Sequence, residues 1–177
     1  SMLEPYRVFA YNFEDLNKKE KPYWRDIGTL ISYYDTSMDL VNVSPVFNLY
    51  DFDWPIYTYQ GKYPPAKTVF SDFQGSGRAG VCLDSIVSGG CIISGGRVIR
   101  SILSPNVHIH SYSLVEESIL FNNVQVGRRA KIRRAIIDKN VIIPEDFEIG
   151  YDLEKDRRMF TVTPEGIVVV AKNTRLK

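Results

Sequence analysis

Cysteine is nearly absent from this chain: Cys82 and Cys91 are the two in 177 residues. Two thiols outside a Cys-x-x-Cys spacing cannot build a metal cluster by themselves, and a structural disulfide is not expected in a reducing compartment. Both are read as small buried hydrophobes or inert thiols. An excess of charge is also missing. With 22 Lys and Arg against 21 Asp and Glu, the balance gives no argument for nucleic acid or a membrane surface as a partner. No window holds the roughly 18 uninterrupted apolar residues of a membrane span, and the N-terminus lacks a basic segment followed by an apolar core and a cleavage site. The expectation is a cytoplasmic location, with no nucleic acid and no membrane among the partners. What remains is the composition of a folded domain, 44% apolar and 24% charged. Ser1-Met2 ahead of Leu3 has the look of a cloning remnant, so a fragment is expected.

Along the chain, Tyr6 to Tyr11 reads as a short strand. Leu30, Ile31, Tyr34, Met38 and Val41 follow at spacings of one, three and four, which is one face of an amphipathic helix starting near Thr29 and ending before Pro45. An aromatic-rich segment runs from Phe47 to Tyr59. Between Gly61 and Gly80 prolines, glycines, serines and polar residues accumulate, marking the best boundary. The expected division is a first piece over 1–61, a linker over 62–80 and a second domain over 81–177.

Beyond the boundary the sequence repeats. Ile92, Ile109, Val126 and Ile143 recur every 17 residues, as do Val98, Val115, Ile132 and Ile149, and also Ile102, Ile119 and Ile136. Asn106, Asn123 and Asn140 form a polar column with the same period. Apolar residues about six apart suit neither a helix stripe nor plain strand alternation. They fit a parallel β-helix whose short strands each turn one aliphatic side chain inward, with three faces per coil. Asparagine tolerates left-handed backbone and belongs at a corner of such a coil. A β-sandwich of short strands leaves the period unexplained. A solenoid also needs a lid over its last coil. The tail offers one: a polar stretch from Glu148 to Arg158, then two short strands about a Pro164-Glu165-Gly166 turn.

Three sets of residues are candidates for chemistry. Asp26 in YWRDIGT is either a functional carboxylate or the N-cap of the following helix. Arg128, Arg129, Lys131, Arg133, Arg134 and Lys139 crowd around the single acid Asp138, with Ile132 and Ile136 taking inward positions. Clustered cations on a solenoid wall suit a phosphate-bearing ligand, or they form a solubilising face. His108 and His110 lie on a coil, where hexapeptide-repeat acyltransferases place a general base. That reading leaves the WRDIG and WPIYTY segments without a role, and solvent-facing histidines are expected instead.

The order YWRDIGT, helix, LYDFDWPIYTY, PPAK, DSIVSGGCIISGG, hexad coils, IRRAIIDKNVIIPE and EGIVVV resembles the bacterial ADP-glucose pyrophosphorylases, or glucose-1-phosphate adenylyltransferases, over nearly the whole chain. The resemblance implies a mainly β fold, in which a left-handed parallel β-helix (a hexapeptide-repeat solenoid) is preceded by the C-terminal remnant of an α/β nucleotidyltransferase domain. It implies a nucleotidyltransferase that makes ADP-glucose and pyrophosphate from ATP and glucose 1-phosphate for glycogen synthesis. A G-G-G-x-G-T-R-L phosphate loop is not found here, so the chain looks like the C-terminal portion and is expected to be inactive alone.

Carried over by position, Asp26 becomes a catalytic carboxylate and one of two Mg²⁺ ligands, its partner Asp lying outside this chain, and Trp24 flanks the glucose. Lys139 and Lys172 match positions where relatives carry arginine, and with Arg133 and Arg134 they become the allosteric set. Sugar phosphates, pyruvate or AMP-type molecules are the implied effectors. A homotetramer is implied as well, with apolar residues such as Phe121 at subunit contacts. Two alternatives stand beside this reading: a non-catalytic regulatory or scaffold subunit related to nucleotidyltransferases, and another sugar-nucleotide pyrophosphorylase.

Overall fold

Thr29 adopts an extended backbone and its hydroxyl accepts a hydrogen bond from Ser32 N–H at 3.1 Å, which starts helix α1 over Leu30–Asp39. Asp26 is therefore not the cap; its Oδ1 accepts from Gly28 N–H at 3.1 Å in a local turn before the helix. The computed structural model describes residues 7–11, 23–53, 55–57, 61–71 and 75–176. Within these, 7–11 have no regular secondary structure, so the strand expected there does not form; Tyr6 lies outside the described residues. Arg7, Val8, Phe9 and Tyr11 are exposed and have no sheet to join. Trp54 and Tyr59 of the WPIYTY segment also lie outside.

The strands follow in chain order: β1 (Lys67–Val69), β2 (Val81–Leu83), β3 (Ile86–Val87), β4 (Ile92–Ser94), β5 (Arg97–Ile99), β6 (Ile102–Leu103), β7 (His108–Ile109) and β8 (Leu114–Glu116). They continue with β9 (Ile119–Leu120), β10 (Gln125–Val126), β11 (Lys131–Arg133), β12 (Ala135–Ile137), β13 (Ile142–Ile143) and β14 (Glu148–Ile149). A short helix α2 (Leu153–Arg157), β15 (Thr161–Val162) and β16 (Val168–Val170) complete the chain. Every third strand pairs in parallel, giving the faces β1-β4-β7-β10-β13, β2-β5-β8-β11-β14 and β3-β6-β9-β12-β16, with β15 antiparallel to β16 at the edge. This is the expected parallel β-helix, a three-sided prism, closed by α2 and the β15–β16 hairpin. Its first strand, β1, falls inside the 62–80 stretch read as a linker and pairs with β4.

Sequence dictates this shape through its corners. Asn106, Asn123, Asn140 and Asn173 all have φ between 60° and 63°, and each amide donates to the next across one edge of the prism at 2.9 to 3.0 Å. A second edge turns on Asp84, Arg100, Glu117 and Arg134, and a third on Gly95, Tyr112, Arg129 and Asp146, again left-handed. Inside, Val98, Val115, Ile132 and Ile149 stack in register with no exposed surface, as their period implied. Each fully buried aliphatic of this size contributes about 1.5–3 kcal/mol.

Of the other two columns, one is as expected for Ile109, Val126 and Ile143 but not for its first member, and one is shifted by one residue throughout. On the first face the inward residue is Ile93, paired with Ile109, while Ile92 points outward and is 37% exposed. The coil beginning at Ile93 is one residue shorter because it turns at Gly95-Gly96. On the third face Leu103, Leu120 and Ile137 fill the interior. Ile102, Ile119 and Ile136 lie outside it: Ile119 and Ile136 are buried with Tyr34 of α1, and Ile102 and Ile31 are partly buried against that cluster. Ile136 is therefore not an inward residue of the solenoid. Phe121, expected at a subunit contact, stacks on Tyr33 of α1 with centroids 6.4 Å apart. Cys91 is a buried core residue and Cys82 packs beside it; neither is in a disulfide, and burial raises both thiol pKa values.

Candidate functional site

The WRD segment leads into α1 and is tied back to the far end of that helix. Tyr23 O–H and Arg25 Nη2 both donate to Asp39 Oδ2 at 3.3 Å, and Tyr23 stacks on Phe47 at 5.5 Å. Trp24 is 80% exposed and Asp26 is exposed beside it. A single solvated carboxylate with one oxygen engaged by Gly28 does not fit a Mg²⁺ ion by itself. Among the described residues, no group of three His, Cys, Asp or Glu side chains comes together to hold a metal.

Helix α1 anchors the segment to the prism. Tyr34 is 5% exposed, and its hydroxyl donates to the Glu117 carbonyl at 2.7 Å, a bond between residues distant in sequence. Burial pushes the Tyr34 pKa up to about 12. The hydroxyl therefore remains a donor throughout the ordinary pH range.

The four residues expected to bind effectors divide into two pairs at opposite ends of β12, separated by about 16 Å at the usual strand rise. Arg133 and Arg134 are engaged within the fold. Arg133 Nη2 donates to the Gly150 carbonyl at 3.4 Å and its guanidinium lies 4.6 Å from the Tyr151 ring centroid. Arg134 Nη2 donates to the Glu165 carbonyl at 3.3 Å and its guanidinium lies 5.9 Å from the Tyr34 ring. The corner also requires glycine at 150: φ is +83°, and a Cβ there would fall 1.9 Å from the Arg133 carbonyl oxygen.

Lys139 and Lys172 sit at the other end. The Ile137–Val170 pairing continues through Asn173 N–H to the Lys139 carbonyl at 2.9 Å, so the two lysines occupy the same corner position of adjacent rungs. Both are exposed, and among the described residues neither side chain is in an ion pair. Beside them opens a groove of about 630 Å³ lined by Asn140, Ile142, Asn173, Thr174, Arg175 and Leu176. Arg175 is a third cation at this place, held there by a bridge between its backbone and Ile142. Sequence reasoning missed it. A basic residue three positions after Lys172 becomes informative only once the tail is seen to fold back along β13.

Of the remaining basic residues, Arg128 lies 5.8 Å from the Tyr112 ring centroid, and Arg129 and Lys131 are compensated by the following rung. Arg129 Nε bonds Asp146 Oδ1 at 2.6 Å and its Nη2 reaches Glu145 at 3.2 Å; Lys131 Nζ bonds Glu148 at 2.9 Å. The Arg129 guanidinium holds the Asp146 carboxyl below its ordinary pKa. These two members of the cluster thus form a solvated ladder of exposed pairs, each of small energetic value.

A triangular prism of parallel strands with left-handed polar corners defines a hexapeptide-repeat β-helix. The chain belongs to the GlmU-like, C-terminal hexapeptide family, whose model matches residues 64–170. Among curated proteins it is 55% identical over 175 residues to a glucose-1-phosphate adenylyltransferase of Koribacter versatilis, covering 99% of this chain and 41% of the relative. Proteins of the same name show 57% identity over 171 residues in Geobacter metallireducens and 54% over 182 in Anaeromyxobacter sp., covering 93% and 100% of this chain. The chain spans only 41% and 44% of the length of those two relatives.

Proposed function

We propose that this chain is the C-terminal, regulatory and subunit-joining part of a bacterial glucose-1-phosphate adenylyltransferase acting in glycogen synthesis. The observation that carries the reading is identity above half across nearly the whole chain to several proteins of that name. The whole enzyme joins ATP and glucose 1-phosphate to give ADP-glucose and pyrophosphate in the cytoplasm. Residues 1–61 are the end of its catalytic domain. Asp26 would supply one Mg²⁺ ligand once a second carboxylate from the rest of the domain stood beside it, and the bound ion would offset phosphate charge there. Trp24 presents an aromatic face to the glucose.

The regulatory site lies at the Lys139–Lys172 corner. Two ammonium groups on adjacent rungs, neither in an ion pair among the described residues, repel each other, and Arg175 adds a third positive charge at the neighbouring groove. An anion placed among them relieves that repulsion, and a sugar phosphate suits it better than pyruvate because it presents several oxygens to several cations. Arg133 and Arg134 act at one remove by fixing the opposite corner. The whole enzyme is a homotetramer joined partly through the prism.

The test is the full-length protein with ATP, glucose 1-phosphate and Mg²⁺, read as pyrophosphate release, with the present chain alone as the inactive control. Absence of turnover by the full-length protein sinks the enzymatic reading. Lys139→Ala with Lys172→Ala is expected to lower the apparent affinity for an activating sugar phosphate at least about tenfold, while turnover without activator stays within about twofold of the parent. An unchanged activation curve removes the corner from regulation and leaves the enzymatic reading standing.

A further inference from the structure

The outer face of the β1-β4-β7-β10-β13 sheet carries a pair of histidines that none of these roles uses. Ile109 points into the core with no exposed surface, so strand alternation turns His108 and His110 outward on the same side. Their rings lie face to face with centroids 4.0 Å apart and planes 27° from parallel. Both are part-buried. Among the described residues neither ring makes a hydrogen bond to protein; the hydrogen bonds at these positions are those of the backbone, His108 N–H to the Val124 carbonyl, His110 N–H to the Val126 carbonyl, and the His110 carbonyl accepting from Ser113.

Among the described residues no cation is the direct ladder partner of either histidine, and the Arg78 guanidinium beside them is engaged, its Nε–H donating to Ser111 Oγ at 3.0 Å. His108 is flanked in the ladder by Ile92 and Gln125, and Ser94 and Gly127 follow the residues that pair with Ile109. The nearest basic residue in that column is Lys67, paired with Ile92 and thus two strands, about 10 Å, from His108. The corresponding positions of the other coils, Ile92, Gln125 and Ile142, build the same strand without histidine. The fold therefore does not require imidazoles here.

We propose that His108 and His110 form a two-imidazole site for a divalent transition-metal cation of the Zn²⁺, Ni²⁺ or Cu²⁺ type. Imidazole nitrogen is a borderline ligand that favours these ions over Mg²⁺. Two rings on alternate positions of one strand start from the same side of the sheet, and turning them out of their stack would aim one nitrogen from each at a shared ion at metal–nitrogen distances of about 2.0–2.1 Å. Water fills the remaining positions, with the Gln125 side chain at the rim. This site is independent of the Mg²⁺ chemistry assigned to the catalytic domain, and it stands or falls apart from that assignment.

The experiment is calorimetric titration of the untagged chain with ZnCl₂, NiCl₂, CuCl₂ and MgCl₂ in a non-coordinating buffer, together with H108Q, H110Q and the double variant. One saturable ion per chain is expected for the three transition metals, tightest for Cu²⁺, and none for Mg²⁺ at the histidines. Each single variant is expected to weaken binding at least about tenfold, and the double variant to abolish it. The imidazole proton resonances of both histidines in the parent chain should shift together on adding Zn²⁺, a readout that does not depend on how the variants fold. Absence of saturable binding below about 1 mM overturns the proposal, as does undiminished binding in the double variant or movement of only one histidine's resonances.

Discussion

At the scale of single residues, a buried acid controls the lid. Asp156 is 1% exposed, and its Oδ2 accepts from Gly150 N–H at 2.8 Å where the chain leaves the last coil. Burial raises its pKa above the ordinary carboxyl value despite that bond. A carboxyl raised on folding contributes stability fully below its unfolded pKa of about 4, and this contribution is lost as pH climbs through the folded value. Asp156→Asn keeps an acceptor for Gly150 and carries no charge at any pH. Its urea midpoint is expected to match the parent near pH 4 and to exceed it at pH 7. A variant that is weaker than the parent at pH 7 would show that the ionised carboxylate is the favoured state. The residue scale also contains a buried polar ladder that the sequence concealed. Ser101 N–H donates to Ser85 Oγ, Ser118 N–H to Ser101 Oγ and Ala135 N–H to Ser118 Oγ, at 3.0 to 3.2 Å. Serines are so common at turns that this column was invisible until the coils were stacked, whereas the asparagine column announced itself by its left-handed role.

At the scale of elements, the period of the solenoid was legible and its phase was only partly so. Val98, Val115, Ile132 and Ile149 have polar or less regular neighbours, and the inward member is unambiguous. On the third face each position is a pair of adjacent aliphatics: Ile102-Leu103, Ile119-Leu120 and Ile136-Ile137. Alternation cannot choose between two apolar neighbours, and the outer one is apolar because α1 lies over it. The two environments make different predictions for neighbouring residues. Ile137→Ala opens a cavity in the closed interior and is expected to cost about 2–5 kcal/mol in global unfolding. Ile136→Ala loosens α1 from the wall, and its larger effect should appear as faster amide exchange in α1 at little change in exchange of the inner strands. Tyr34→Phe deletes the bond to the Glu117 carbonyl and is expected to cost about 0.5–1.5 kcal/mol by the same exchange measurement. Equal losses of protection in α1 and in the inner strands for both Ile136→Ala and Tyr34→Phe would mean that helix and prism unfold as one unit. The candidate site follows the same division. Lys139 and Lys172 were readable as positions in a motif, but their adjacency and the participation of Arg175 depend on the fold of the tail, which skips a coil length through α2 before rejoining the ladder.

At the scale of the whole molecule, each coil touches only its neighbours, so stability propagates along the axis and the ends decide whether the stack remains solitary. The final coil is covered by α2, β15 and β16: Leu153, Phe160, Val162 and Leu176 pack against the core, and β16 occupies the edge of β12. Among the described residues, β13 and β14 are covered at this end by the Arg175 bridge and by the short helix rather than by further strands. Removing residues 151–177 would uncover the β12 edge together with the aliphatics beneath the lid. An open row of strand N–H and C=O groups beside exposed Ile and Val is a template for pairing with another chain. The truncated chain is therefore expected to run as concentration-dependent, higher-mass species in size exclusion with light scattering, and to lose urea stability relative to the parent. The inner asparagine ladder should stay intact in what remains, because Asn106 and Asn123 take their partners from within the stack. If the truncated chain keeps the parent's mass distribution and urea midpoint, the lid is dispensable and the stack is closed by its last coil alone.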